Sequence, residues 1–340
     1  MIIKNTFSYP PLLGTFHKVF LWCSLTMAAA VLTACYSQRE DEAVYHQQLD
    51  FETLNAQRSS VLVDGDWLAS NLHTPNLHIL ELGRTQDEFI EEHIPGAAFV
   101  DWRKDISDPA KPDRYNLPPQ GLFEELMSKL GITPDSTVVI YDTLDNRASV
   151  RLFWIMKYYM HADVKVLDGG FSYWKEAGHP TVSEILANTP SAYSVSSINP
   201  DLLVDFDYVN SNLSSDGVML VDGRPFEQYT GDSAGKVFHT GAEHQRGGHI
   251  YGAQSVPWAD NLRADGTFKS AEDLAPLYEK HEVFNQGVVV TYCNEGLHAA
   301  MPWFVLQHLL SYDDVRLYDD SMAEWANVFD TPMVTGEHCM

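Results

Sequence analysis

Cysteine is scarce in this chain: four residues in 340, at Cys23, Cys35, Cys293 and Cys339. Two internal thiols 46 positions apart, Cys293 and Cys339, make neither a disulfide framework nor a zinc ribbon. Basic residues are also few, with 22 Lys and Arg against 47 Asp and Glu and a formal net charge of −25. Such an acidic surface repels the phosphate backbone, so no nucleic-acid partner is expected. The acidity reads as a soluble surface or as an acidic docking face. Charge is absent from Val19 to Ala34, a run too short for a membrane-spanning helix. What is abundant is apolar material: 45% of residues are hydrophobic and 12% aromatic, which excludes disorder of the whole chain. The length suggests two domains.

The uncharged run follows Lys4 and Lys18, and no acid occurs before residue 36, which is the layout of a secretory signal. It ends in Leu32-Thr33-Ala34-Cys35, which resembles the bacterial lipoprotein box. That resemblance implies a signal over residues 1–34, acylation of Cys35 as the new N-terminus, and a membrane partner reached through the lipid. The protein would face the periplasm, and Tyr36 after the lipidation site favours the outer membrane in a diderm cell. The other reading is an ordinary cleaved signal with an incidental cysteine. Residues 35–60 are polar, without strong apolar periodicity, and read as a flexible tether.

Beyond the tether the chain repeats itself. HIPGA at His93–Ala97 returns as HIYGA at His249–Ala253, LGR ending at Arg84 as DGR ending at Arg224, and VVIYD ending at Asp142 as VVVTYC ending at Cys293. VKVLDGGFSYWKEAG from Val164 is matched by VRLYDDSMAEWANVF from Val315, and Asp142 to Trp174 and Cys293 to Trp325 share one spacing at an offset of 151. So long a period is a domain duplication and no solenoid. Short apolar runs at 78–82, 138–141 and 164–167, and again at 219–222, 288–292 and 315–318, read as strands alternating with helices. LFEELMSKLG ends as a helix at Gly131, and Ser270 to Asp273 looks like a capping box. The pattern predicts two α/β domains, each a central, mainly parallel sheet flanked by helices on both faces. They are expected over 61–186 and 200–335, with a linker at 187–199 and a tail at 336–340. Ligands of such sheets bind beyond the carboxyl ends of the strands, where Cys293 sits.

Cys293-Asn294-Glu295-Gly296-Leu297-His298-Ala299 passes from a strand into a helix starting near Ala299. Its amides can converge on the sulfur and, with the helix N-terminus, favour thiolate over thiol. Gly296 permits the tight curl. Taken alone, Cys293 could equally be a buried structural cysteine. HIPGA, VVIYD, VLDGGFSYWKEAGHP and the Cys-x-x-Gly-x-x-Ala loop together resemble the rhodanese family, in particular its tandem thiosulfate and mercaptopyruvate sulfurtransferases, from about Val61 to Pro332.

The resemblance implies an inactive first domain, with Asp142 in place of the cysteine, and an active second domain. Cys293 would take sulfane sulfur from a small-molecule donor as a persulfide and pass it to cyanide or a thiol, without metal or other cofactor. Asn294, Glu295, Gly296, Leu297 and Ala299 would line the donor site. Where many thiosulfate-using relatives carry basic residues, Asn294 and Glu295 stand here, and Glu295 should repel a dianion and oppose ionisation of the thiol. His298 is a catalytic candidate, stabilising the thiolate when charged or exchanging a proton; the alternative is a capping or solvent-facing ring. Arg224 either orients loop and donor or forms a structural ion pair. Trp174 and Trp325 read as packing.

The second copy holds an insertion between Arg224 and His249. It reads as a Gly-rich flap with Lys236 and Arg246 as anion contacts, and its His239, His244 and His249 lack a standard zinc spacing. Cys339 is a resolving thiol or a tail residue. A cysteine phosphatase would need Arg where Ala299 stands. The remaining rival is a non-catalytic sulfur-binding or scaffold lipoprotein. Oligomeric state stays open.

Overall fold

The computed structural model describes residues 50–111, 116–213, 215–237 and 240–337. The signal expected over 1–34, the expected lipidation site Cys35, most of the expected tether, His239 and Cys339 lie outside the described residues. No helix among the described residues is long and apolar enough to cross a membrane.

The first repeat builds a five-stranded parallel sheet from β1 (Leu62–Val63), β2 (Leu77–Leu82), β3 (Ala97–Phe99), β4 (Thr137–Asp142) and β5 (Asp163–Leu167), in the order β1-β5-β4-β2-β3. The second repeats that order with β6 (Leu203–Val204), β7 (Val218–Asp222), β9 (Gln254–Ser255), β10 (Val288–Tyr292) and β11 (Asp314–Tyr318), arranged β6-β11-β10-β7-β9 and again all parallel. A small antiparallel pair, β8 (His249–Ile250) with β12 (Met333–Val334), closes the second domain. All six strands expected from apolar runs are present. The short edge strands β1, β3, β6 and β9 carry too few residues to show a pattern.

Local signals recur in both copies. Asp64 caps α2 (Gly65–Asn71) and Asp205 caps α7 (Phe206–Asn212), each side chain accepting from the backbone N–H three residues on. Helix α4 (Gln120–Lys129) stops before Gly131, whose φ of 79° is left-handed. Ser270 caps α9 (Ala271–Lys280), while a reciprocal capping box stands at Thr85 and Glu88, opening α3 (Gln86–Glu91). Trp174, in α6 (Gly170–Glu176), and Trp325, in α11 (Ser321–Trp325), are fully buried in the two cores, as packing residues should be.

The two domains meet through equivalent positions, as two identical subunits would across a two-fold axis. Helix α5 (Arg147–Tyr158) packs on α10 (Ala300–Phe304, continued by a π turn over Val305–Leu309). Phe153 meets Phe304, 151 positions later, edge to face at 5.0 Å. The aspartates that end the last strand of each sheet dock reciprocally: Phe268 N–H donates to Asp168 at 2.8 Å, and Leu117 N–H to Asp319 at 2.6 Å.

The tether expectation needs correction at its end, because Phe51–Val61 is a helix, α1. It buries only Leu54 and Val61, so no apolar stripe marked it. Polar contacts hold it in place: Arg58 donates to Asp168 at 2.9 Å and to the Lys269 carbonyl at 2.9 Å, tying one domain to the other. The linker is an extended strap pinned to the first domain by Tyr193 N–H on Ser128 and Val195 N–H on Glu124. Replacing Arg58 by Met removes its bonds and leaves a largely buried carboxylate at Asp168, a cost of about 1–3 kcal/mol. Calorimetry should show a lowered thermal midpoint; an unchanged one would remove the bracing role.

Candidate active site

Parallel pairing of β10 between β7 and β11 carries Tyr292 level with Asp222, and the chain leaves the sheet at Cys293. The six residues that follow, Asn294 to Ala299, wrap around the sulfur. Gly296 N–H points at Sγ from 3.2 Å, and the N–H groups of Glu295 and Ala299 are also directed at it. Gly296 has φ +90°, and a Cβ there would lie 2.3 Å from Asp319 Oδ1, so only glycine fits the curl. The loop is tied to the chain after β11: Cys293 N–H donates to Ser321 Oγ at 3.1 Å, and Met322 and Ala323 N–H donate to the Cys293 and Asn294 carbonyls at 3.1 and 2.7 Å.

The first domain builds the same cradle around a carboxylate. Asp142 accepts from Leu144, Asn146 and Ser149 N–H at 2.8, 3.0 and 2.7 Å. An anion-holding loop is thus common to both copies, and only the second holds sulfur.

Cys293 is 1% exposed. Burial raises its pKa above the ordinary value, the Glu295 charge adds to the rise, and the three amides oppose both. The expectation that the loop keeps the resting thiol ionised is therefore corrected: desolvation outweighs the amides. The sulfur is still not sealed in hydrocarbon, since Glu295 (2% exposed) and the Asp222–Arg224 pair lie within electrostatic reach of it.

Arg224 forms the ion pair that was one of the two readings open to it. Fully buried, it forks onto Asp222 at 2.9 and 2.5 Å and donates to the Gly248 carbonyl at 2.8 Å, while its Nη1 makes no hydrogen bond. Asn294 is held by its neighbours, its Oδ1 3.0 Å from His244 Nε2 and its amide nitrogen donating to Gln228 at 2.9 Å. Glu295, Gly296 and Ala299 present main-chain N–H groups to the sulfur, and Leu297 is buried. His298 is corrected too: burial and Arg147 pull its pKa down to about 3, so it is neutral and offers no charge to a thiolate. Its Nε2 lies 3.1 Å from Arg147 Nη1, and its ring faces Trp258 at the domain seam.

The insertion reaches the site through His244. Arg246 instead donates to the carbonyls of Trp325, Ala326, Val328 and Thr331, which takes it from the role of anion contact, and Lys236 pairs with Glu243 at 3.4 Å on the surface. His249 stacks on Tyr229. Sequence reasoning missed His244, Gln228, Ser321, Arg151 and Asp319. Arg151 Nη1 reaches Asp319 Oδ1 at 2.7 Å across the domain boundary.

A profile for the rhodanese-like domain matches residues 64–177 and 205–328, and the chain belongs to the rhodanese family. It is 35% identical over 284 residues to the sulfur carrier protein TtuD of Thermus thermophilus, covering 82% of this chain and 97% of that one. SseA from Escherichia coli, described as a 3-mercaptopyruvate sulfotransferase, superposes with a TM-score of 0.68 at 25% identity, over 77% of this chain and 98% of its own. An anaerobic ergothioneine biosynthesis enzyme from Chlorobium limicola shares the fold, with a TM-score of 0.72 at 23% identity over 82% of this chain and 71% of that one. Relatives at 33% identity over 82% of this chain and 99% of their own bear the name putative thiosulfate sulfurtransferase, among them one from Mycobacterium tuberculosis.

Replacing Gly296 by Ala forces Cβ into Asp319 at a left-handed φ, a strain of about 1–3 kcal/mol centred on the cradle. Thiol alkylation mapped to Cys293 should change its pH midpoint in this variant. An unaltered midpoint would show the curl to be dispensable.

Proposed function

We propose that the protein is a sulfurtransferase that carries sulfane sulfur as a persulfide on Cys293. The observation that bears most weight is the convergence of the Glu295, Gly296 and Ala299 amides on one sulfur at the carboxyl end of β10. In the first step the Cys293 thiolate attacks the outer sulfur of a donor. A new S–S bond forms, the donor's own bond to that sulfur breaks, and its electron pair leaves with the donor remnant. The terminal persulfide sulfur, a weaker base than the parent thiolate, is held as an anion by the amides. An acceptor nucleophile, cyanide or a thiol, then attacks this outer sulfur and returns the Cys293 thiolate.

The raised thiol pKa keeps the resting site protonated, and ionisation is needed only when a donor is engaged. Glu295 beside the sulfur disfavours a dianionic donor such as thiosulfate relative to one with less charge. A second reading, favoured by the near-complete burial of Cys293, is a sulfur carrier that retains the persulfide for a macromolecular acceptor. We also propose export and lipid anchoring at Cys35, supported by the Leu-Thr-Ala-Cys sequence; labelled fatty acid should enter the chain and be lost in Cys35→Ser.

Reduced protein offered thiosulfate, mercaptopyruvate, polysulfide and a thiosulfonate should gain one sulfur atom of mass at Cys293 with at least one of them. Discharge to cyanide should give thiocyanate, and Cys293→Ser should abolish both. No adduct with any donor would refute the reading; an adduct that small acceptors cannot discharge would favour the carrier.

A further inference from the structure

We propose that Arg151 of the first domain is a positioning residue for the chemistry of Cys293, acting through Asp319 on the Gly296 side of the sulfur cradle. This inference rests on the sulfur-transfer reading and assigns the catalytically empty domain a part in it.

Arg151 lies on α5 with no exposed surface, and its Nη1 meets Asp319 Oδ1 at 2.7 Å. The second carboxylate oxygen of Asp319 accepts Leu117 N–H at 2.6 Å, so the first domain grips both oxygens. The pair rests against the cradle: a Cβ built on Gly296 would stand 2.3 Å from Asp319 Oδ1 and 3.2 Å from Arg151 Nη1. From Asp319 the chain continues into Ser321, Met322 and Ala323, whose polar groups hold Cys293 and Asn294. A shift of Asp319 therefore reaches the sulfur along two routes, by contact with Gly296 and through the backbone after β11.

Charge gives the arrangement its direction. Asp319 alone would set a buried carboxylate beside an amide that must donate to a sulfur anion, and Arg151 cancels that charge. The other charged and titratable groups around the loop are Glu295 within it, Arg224 with its partner Asp222 after β7, His244 from the insertion, and His298 with Arg147 at the seam; Asp320, next to Asp319, is turned to Asn116. Asp222 has its partner inside its own domain. Asp319 has its partner in the other one, so undocking the domains exposes the cradle to an uncompensated negative charge.

Because Arg151 acts as a counter-charge, substitutions at the two ends of the pair must move the thiol in opposite directions. The rate of iodoacetamide alkylation, followed against pH at the Cys293 peptide of the full chain, reads this without any sulfur donor. Arg151→Met should raise the midpoint by about one pH unit and slow alkylation at neutral pH roughly ten-fold. Asp319→Asn should lower the midpoint, and Arg151→Lys should stay near the parent value. Arg58→Met, which cuts a different contact between the domains, should leave the midpoint in place. Shifts of the same sign for Arg151→Met and Asp319→Asn, no shift in either, or an equal shift in Arg58→Met would overturn the proposal. Should Arg151→Met fail to fold, a raised or unmoved midpoint in Asp319→Asn would overturn it alone. Opposite shifts in a chain that loads no sulfur would uphold this electrostatic link while refuting sulfur transfer; loading without the shifts would do the reverse.

Discussion

A sulfur atom that has to be buried and yet able to carry negative charge imposes demands on everything around residue 293. Burial alone pushes the thiol away from ionisation, and Glu295 pushes it further. The chain answers with main-chain amides and no basic side chain in the loop itself. Amides suit the task because they lend partial positive charge without a titrating group, and because the backbone fixes their direction. Their drawback is that they act only when the loop is held in one shape. The shape depends on Gly296, on Ser321 and its neighbours, and on Asp319.

That dependence explains why two copies of the domain stay together when one has lost its sulfur. In the first copy the cradle closes on the Asp142 carboxylate, which accepts three of the loop's own amides. Its neighbours on α5 then serve the second copy: Arg147 faces His298, and Arg151 faces Asp319. The duplication has kept the docking geometry, with one loop closed on a carboxylate and the other on a thiol.

How much of this could be read beforehand follows from the range of each interaction. The strands, Ser270, Gly131 and the cysteine loop are written in contiguous residues, so short apolar runs, a cap and a Cys-x-x-Gly spacing disclosed them. Even there the direction of the thiol's shift is not written locally, because burial depends on atoms contributed from elsewhere in the chain. Helix α1 escaped notice since its anchors, Arg58 on Asp168 and the Lys269 carbonyl, are 110 and 211 positions away. His298 and Arg224 were open to more than one role by residue type, and only their partners bear on the choice: a neighbouring cation leaves His298 without charge, and a carboxylate pairs with Arg224 inside its own domain.

Asp319 shows what a trace in the sequence is worth when its partner is remote. It ends the RLYD run as Asp168 ends VLD, and the repetition marks both as doing something the duplication preserved. The shared part of the role is docking: each accepts an N–H from the opposite domain, from Phe268 and from Leu117. The unshared part is the cation, Arg58 from α1 on one side and Arg151 from α5 on the other. Of the two, only Asp319 presses on a loop that holds sulfur, so an equivalent residue with an equivalent bond acquires a second consequence from its surroundings. Repetition discloses the common constraint, and the asymmetry of what lies beside it determines where the chemistry is supported.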